Sequence, residues 1–120
     1  MRTMNIPPAF VPASAGNLLN CGITSLAGPT GYTQTQPFIV VLHVRITNND
    51  TVQHTVSLYK GATGGSAAGT EFAFTSAVVN ANDSIDWFGK QRFDATDFLT
   101  GKADAASKLT IEIDAEMGVA

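Results

Sequence analysis

The chain has 120 residues, of which 44% are hydrophobic and 14% are charged, and its formal net charge is -3 at pH 7. This balance excludes a disordered chain and a basic nucleic-acid-binding surface, and the length predicts one domain whose core needs no disulfide or metal. The lone cysteine, Cys21, cannot form an internal disulfide. Three prolines, Pro7, Pro8 and Pro12, interrupt the place of a signal peptide, and no segment is long enough for a transmembrane helix, so we expect no membrane partner.

The first 36 residues differ in composition from the rest. Arg2 is their only charged residue, and their apolar side chains follow neither the strand nor the helix period. We predict an extended N-terminal arm over residues 1–36, with a candidate first strand at 23–26, and a β-sandwich domain over residues 37–120. The arm would pack along its own domain or dock on another subunit. Its candidate contact residues are Ile6, Phe10, Val11, Leu18 and Leu19.

We predict that removing residues 1–19 leaves a folded sandwich that attaches or oligomerises less well. A turn at residues 28–31, GPTG, then leads towards the most regular strand of the chain.

Residues 37–47, PFIVVLHVRIT, alternate strongly and predict a central strand. Strict alternation places the even-numbered residues from Phe38 to Ile46 on one face, and His43 and Arg45 on the other. The first half is apolar on both faces, which indicates burial within a sheet.

The remaining segments predict further strands separated by turns. Residues 48–51 suit a hairpin turn, and residues 53–60 form a strand with His54, Val56 and Leu58 on its inner face. The small-residue segment 61–69 predicts a hairpin loop, because it lacks the Lys-Ser or Lys-Thr pair of a phosphate-binding loop. A strand at 71–79, with Phe72 and Phe74 on one face, is followed by a turn at 80–83 and a strand at 84–88 with a bend or bulge at Gly89. A helical turn at 94–99, capped by Asp94 or Thr96, and a polar connection at 101–107 then lead to a strand at 109–117.

The last strand alternates most regularly. Its inward residues are Leu109, Ile111, Ile113, Ala115 and Met117. About seven or eight short strands with turn-rich links predict an all-β fold, a single β-sandwich with jelly-roll winding.

Catalytic chemistry has few candidates. His43 and His54 are the only side chains whose ordinary pKa lies near neutrality, and both fall in strands. We predict no catalytic residue, and expect His43 and Arg45 to pair with Glu112 or Asp114 across the sheet. A double-mutant cycle on Arg45 and Glu112 would measure such a pair.

Metal and sugar sites are also poorly supported. Two histidines and one cysteine lack zinc-site spacing, and Asp94 with Asp97 are too few oxygen ligands for calcium. We therefore expect neither a metal nor a cofactor. Trp87, Tyr59 and Phe88 could form a sugar-stacking platform, but the alternation of Trp87 with Ile85 favours core burial.

Three acidic residues lie on the outer face of the last predicted strand, and they form a candidate polar contact face. They are Glu112, Asp114 and Glu116. Like charges at this spacing need solvent, basic neighbours across the sheet, or a basic partner surface.

Two runs carry a family resemblance: SLYKGATGGSAAGTEFAF at residues 57–74 and VNANDSIDWFGKQRFDATDFLTGKADAASKLTIEIDAEMGV at residues 79–119. A strand ending in Ser57-Leu58-Tyr59-Lys60-Gly61 leads through a small-residue loop to Gly69-Thr70-Glu71-Phe72. An Asn-containing turn and a strand then reach Arg92-Phe93-Asp94 and Asp97-Phe98-Leu99. This pattern resembles small virion proteins of tailed bacteriophages.

The resemblance implies a non-enzymatic jelly-roll-like head decoration or cement protein. Such a protein binds the outside of the major capsid protein, stabilises the shell, and often forms a trimer. Its expected partners are the major capsid protein and itself, and its expected location is the capsid surface after synthesis in the host cytoplasm. The alternatives are a neck, tail or fibre component of the virion, or a carbohydrate-binding β-sandwich module.

Overall fold

The computed structural model describes residues 2–20, 25–27, 33–35, 37–61, 64–94 and 97–119. These residues form ten strands, and none of them belongs to a helix that could span a membrane. Cys21 and the turn predicted at 28–31 lie outside the described residues. The strands are β1 (Arg2–Phe10), β2 (Gly16–Asn20), β3 (Ser25–Ala27), β4 (Thr33–Thr35), β5 (Pro37–Asn48), β6 (His54–Gly61), β7 (Ala77–Val79), β8 (Ser84–Phe93), β9 (Phe98–Ala103) and β10 (Leu109–Val119).

Eight of these strands form two antiparallel sheets that pack face to face, which confirms the predicted β-sandwich. Sheet A has the order β1-β10-β5-β8, and sheet B has the order β2-β9-β6-β7. β3 and β4 form a separate antiparallel pair. Apart from the separate β3–β4 pair, successive strands alternate between sheet A and sheet B, except that β6 and β7 are neighbours in sheet B. Each sheet therefore combines strands that are distant in sequence.

The central strand β5 confirms the strand predicted at 37–47, and β10 and β8 flank it. The predicted alternation, however, was wrong in its first half. Ile39 and Val41 face the core there, and Val44 and Ile46 face it in the second half. The inward parity changes because the register with both neighbours shifts around Leu42. A bulge of this kind re-aims the side chains on either side of it.

The bulge spreads across sheet A. Two rows of paired residues cross the sheet on either side of the bulge. From one row to the other, β10 uses residues 113–115, β5 uses 41–44 and β8 uses 87–91. Each successive strand thus uses one residue more, which bends the sheet locally. Gly89 lies in the longest of these segments, so the predicted bend or bulge there is confirmed. A Cβ atom at Gly89 would lie 2.8 Å from Cζ2 of Trp87, which explains why a residue without a side chain fits.

The N-terminal segment is part of the sandwich: residues 2–20 pack along their own domain, which is one of the two expected arrangements, and they do so as paired strands. β1 pairs with β10 at one edge of sheet A, and β2 pairs with β9 at one edge of sheet B. The register of β1 shifts between Ile6 and Ala9, around Pro7 and Pro8. Because an edge strand leaves one side unpaired, it tolerates prolines there. Removing residues 1–19 would strip an edge strand from each sheet, so we no longer expect the truncated protein to stay folded.

β6 and β10 agree with the predicted alternation. His54, Val56 and Leu58 are buried on β6, and the odd-numbered residues of β10 from Leu109 to Ala115 are buried as well. The side chain of Met117 lies outside the described part. Together the two sheets enclose one apolar core, whose largest fully buried apolar side chains are Val11, Val41, Val44, Ile46, Val56, Leu58, Val79, Phe93, Leu99 and Leu109.

The predictions for two segments, the hairpin turn at 48–51 and the strand at 71–79, were wrong in whole or in part. The turn at 48–51 joins β5 in sheet A to β6 in sheet B, so it does not close a hairpin. The segment 71–79 is a strand only at β7, among its described residues, although Phe72 and Phe74 are buried as expected. Ala73 and Ser76 have φ values of 66° and 46°, and this left-handed backbone interrupts a strand.

The helical turn predicted at 94–99 was wrong at its C-terminal end. Asp97 N donates a hydrogen bond to Asp94 O at 2.9 Å, but Phe98 and Leu99 already belong to β9. The polar connection predicted at 101–107 was wrong in its first part for the same reason, because β9 continues to Ala103. Thr96 lies outside the described residues.

Candidate functional site

The outer face of sheet A carries a compact group of polar and aromatic side chains, which we call the His43 cluster. The bulge at Leu42 sets the position of the cluster. After the bulge, Val44 and Ile46 point to the core, so His43 and Arg45 point to solvent. The cluster consists of His43 and Arg45 from β5, Asp86 and Phe88 from β8, and Asp114 from β10.

His43 lies between two carboxylates. Its Nε2 is 2.7 Å from Oδ1 of Asp86, and its Nδ1 is 3.1 Å from Oδ2 of Asp114. An ionised carboxylate only accepts hydrogen bonds, so both contacts are hydrogen bonds only when both ring nitrogens carry protons. Burial opposes this charge most strongly, but the bonds to the two carboxylates outweigh it and raise the pKa of His43. The geometry therefore favours an imidazolium cation.

Arg45 completes the charged part of the cluster. Its Nε donates a hydrogen bond of 2.8 Å to Oδ1 of Asp86, which raises the pKa of Arg45. The bonds from Arg45 and then His43 lower the pKa of Asp86. One carboxylate oxygen thus serves two cations on the neighbouring strand, and such a shared acceptor holds β5 and β8 side chains in a single arrangement.

The expected cross-strand pairing is confirmed for His43 and Asp114. Arg45 lies opposite Glu112 in the register of β5 and β10, but its ion pair is with Asp86. Sequence reasoning missed Asp86. The available signal was its position between Ile85 and Trp87, which predicts an outward side chain on β8, but the adjacency of β8 to β5 was needed to interpret it.

Phe88 is the most exposed large apolar residue in the described part of the chain, at 73%. Its ring stacks on the His43 ring at 4.4 Å between centroids and 10° between planes. A cation over an aromatic face is attracted by the ring quadrupole, so a protonated His43 holds the Phe88 ring in place. The result is a fixed aromatic side chain that stays in solvent among charged neighbours.

The three predicted acidic residues lie on this same outer face. Glu112 and Asp114 are exposed and Glu116 is half-buried, and Asp114 joins the His43 cluster directly. Glu116 lies opposite Val40, whose other neighbour is Arg92. Of this row, Asp114 is paired with a basic group across the sheet, whereas the ion pairs of Arg45 and Arg92 are with Asp86 and Asp94.

The predicted contact residues of the N-terminal segment separate into two groups. Val11 and Leu19 are buried in the core of this domain, and Ile6 and Leu18 are partly buried against it. None of these four offers a free side chain to another subunit while β1 and β2 remain in place. Phe10 is the exception, at 58% exposed.

The three candidate sugar-binding aromatics do not share a face. Phe88 points outward from sheet A, and Tyr59 alternates with the buried residues of β6 and so points outward from sheet B. Trp87 points inward and is half-buried, with its ring 4.8 Å from the ring of Phe72. This confirms the expected inward direction of Trp87 and leaves no common stacking platform.

Two shallow cavities lie elsewhere on the described surface. One, of about 170 Å³, is lined by Pro8, Ala9, Phe10 and Thr110. The other, of about 290 Å³, lies on the outer side of sheet B beside Ser57, Tyr59 and Lys102. No group of three or more His, Cys, Asp or Glu side chains in the described residues has the arrangement of a metal site.

Comparison with known proteins assigns no family to the chain. No protein-family model matches the sequence, and no curated protein matches it significantly.

Proposed function

We propose that this protein is a non-enzymatic virion structural protein, a capsid decoration or cement protein that binds the outside of the major capsid shell and stabilises it. The observation that carries the proposal is the exposed ring of Phe88, stacked on His43 within a charged face of sheet A. The resemblance of residues 57–119 to small phage virion proteins supplies the kind of partner.

The His43 cluster has the composition of a protein contact surface. Aromatic residues and Arg are enriched in interfaces, and binding energy concentrates in a few central side chains surrounded by a polar rim. Phe88 would be the central side chain, with Arg45, Asp114 and Glu112 at the rim. Because the ring is already held by His43, little conformational entropy remains to be lost on binding. A matching surface would offer an apolar socket for Phe88 and hydrogen-bonding groups around it.

We also propose that the sandwich is wound as a jelly roll. The strand orders β1-β10-β5-β8 and β2-β9-β6-β7 support this winding, because successive strands alternate between the sheets except at the β6–β7 pair. Two such sheets of four strands are the arrangement expected of a jelly roll.

Co-sedimentation with undecorated capsids tests the proposed attachment. The wild-type protein should pellet with the capsids, and Phe88→Ser should bind at least about tenfold more weakly, as expected for loss of a central contact residue. Val78→Ser is the matched control, because Val78 is also exposed but lies on β7 at the edge of sheet B. Equal binding by wild type and Phe88→Ser would refute the role of the His43 cluster.

Light scattering of the purified protein tests the proposed trimer. A stable trimer that also pellets with capsids supports a cement protein that associates with itself. A protein that ignores capsids but pellets with isolated necks, tails or fibres would instead support the alternative of a neck, tail or fibre component.

A further inference from the structure

The second histidine lies at one end of the sandwich, away from the His43 cluster. His54 begins β6 and is 6% exposed. Three links between strands meet around it: the turn 49–53 between β5 and β6, the turn 80–83 between β7 and β8, and the loop 104–108 between β9 and β10. His54 is the most deeply buried titratable side chain in the described part of the chain.

Both ring nitrogens of His54 face carboxylates. Nε2 is 2.8 Å from Oδ2 of Asp50 in the first turn, and Nδ1 is 2.9 Å from Oδ1 of Asp104 in the last loop. A neutral imidazole has one N–H and one acceptor nitrogen, and the acceptor would then face an acceptor-only oxygen. Both hydrogen bonds therefore form only with the imidazolium, which links the turn to the loop.

Lys108 is a further charged group beside this site, and it contacts Asp50. Nζ of Lys108 lies 3.9 Å from Oδ2 of Asp50. β7 packs against β6 with Val79 opposite His54, and it carries no charged residue. In the described surroundings, two carboxylates and one ammonium thus act on the histidine, and the nearer charges favour its protonated form.

Backbone contacts spread this arrangement to the third link. Asn82 N donates to Asp50 O at 3.2 Å, and Asp104 N donates to Thr55 O at 3.2 Å. Two further backbone bonds join the same links, from Asn48 N to Asp83 O at 2.8 Å and from Asn49 N to Lys108 O at 3.1 Å. Loss of the His54 proton would leave one of its two carboxylate contacts without a donor, and this would weaken the side-chain connection between the turn and the loop.

We propose that His54, Asp50 and Asp104 form a proton-dependent clasp that holds the three links closed at this end of the sandwich and releases them when the imidazolium loses its proton. The inference is independent of the proposed capsid attachment, because it concerns the end of the sandwich and not the outer face of sheet A.

The clasp has a defined pH window. The hydrogen bond that His54 donates to Asp50 makes the largest contribution to the raised pKa of His54, whose ordinary value is 6.5, and the same bond lowers the pKa of Asp50 below its ordinary 3.8. The clasp is therefore closed below pH 6.5 and opens as the pH rises through the folded pKa of His54. On the acid side, the contact with Asp50 is lost only as the pH falls through the lowered pKa of Asp50.

Nuclear magnetic resonance of the wild-type protein tests the clasp without a mutation. The ring nitrogens of His54 should both carry protons at pH 6.5, and the ring should titrate above that pH. The amide protection factors of Asn82 and Asp104, corrected for intrinsic exchange, should fall by up to about tenfold per pH unit as the pH rises from 6.5 to the titration midpoint, and should level off above it. The amide of Val11, which donates to Leu109 O at 2.9 Å, serves as an internal reference.

A variant pair separates this clasp from the His43 cluster. Asp104→Asn removes one charge that favours the imidazolium, so it should move the midpoint of loop opening to lower pH. Asp114→Asn makes the same change beside His43 and should leave that midpoint unchanged. A His54 ring that titrates below pH 6.5, protection that ignores pH, or equal effects of both variants would overturn the proposal.

Discussion

Each of the two histidines of this chain lies between two aspartate side chains, but the surrounding structure differs. His43 bridges Asp86 and Asp114 on the face of a sheet, and His54 bridges Asp50 and Asp104 between loops. On sheet A, the backbone ladder of β8, β5 and β10 already sets the spacing of the side chains. At the end of the sandwich, the described backbone bond between the turn 49–53 and the loop 104–108 is the one that Asn49 N donates to Lys108 O at 3.1 Å.

This difference shows that a repeated side-chain motif need not have a repeated role. Where strands are already paired, the imidazolium adds little to the fold, and its main effect is on the surface, through the ring of Phe88. Where links have few backbone bonds, the same motif contributes to closure. The following predictions test this contrast, from the largest expected effect to the smallest.

Replacement of Asn48 should have the largest effect, since Asn48 anchors the end that holds His54. It is 1% exposed, its Nδ2 donates to the carbonyls of Val52 and Val79, and its Oδ1 accepts from the amide of Asp50. Asn48→Ala leaves these groups unpaired and should lower the free energy of unfolding by about 3 kcal/mol. Chemical denaturation measures the change.

Asn49→Ala is the control for Asn48. Asn49 is exposed and its Nδ2 donates a hydrogen bond to Oγ1 of Thr110 at the surface, so loss of this side chain should change stability by about 0.5 kcal/mol or less. Similar losses for the two variants would show that the end links carry no special weight.

Gly89→Ala tests whether the His43 cluster depends on the packing of Gly89 against the Trp87 ring. The new Cβ would crowd the Trp87 ring at 2.8 Å, which should destabilise the protein by about 1–3 kcal/mol and disturb the neighbouring Phe88. Gly61→Ala, where no atom lies within 4 Å of the new Cβ, should be close to neutral. Thermal unfolding of both variants, with the capsid-binding assay, distinguishes packing from surface effects.

Alkaline pH should destabilise the protein mainly through His54. Both histidines have a raised pKa, so their contributions are complete below pH 6.5 and disappear as the pH rises through the folded values. His54→Gln should remove more of this pH dependence than His43→Gln, because His54 joins otherwise weakly tied links. The pH profile of the thermal midpoint checks the order, and equal flattening by both substitutions would contradict the contrast between them.

The smallest effect concerns the ion pairs on sheet A. A double-mutant cycle on Arg45 and Asp86 should show coupling, because a hydrogen bond joins them, whereas a cycle on Arg45 and Glu112 should show less. Stronger coupling to Glu112 would mean that the arrangement around Asp86 does not persist in solution.

Sequence patterns predicted those elements whose periodicity is local and uninterrupted. β6 and β10 alternate regularly, so both their boundaries and their inward residues were close. The pairing of His43 with Asp114 followed from the outward residues of β10 and of the second half of β5. β1 and β2 were missed as strands because prolines and bulges remove their alternation, and only their pairing with β10 and β9 makes them strands. The bulge at Leu42 escaped for a similar reason, since it is defined by registers with two neighbours.

The candidate site was predictable in part. His43, Arg45 and Asp114 could be placed on outer faces by alternation, and the acidic row of β10 was visible directly. Asp86 and the stacking of Phe88 on His43 required knowing that β8 lies beside β5. The clasp at His54 was not predictable, because Asp50 and Asp104 lie in separate links that meet only at the end of the sandwich.

The sequence by itself determined the all-β class, the regular strands and the scarcity of acid–base groups, because composition and alternation act between residues close along the chain. Only the tertiary structure decided which strands are neighbours, that the N-terminal segment completes both sheets, and that each histidine lies between two carboxylates. Those features depend on contacts between residues up to about a hundred positions apart, such as Ile6 opposite Ile113, and local patterns carry no information about such pairings.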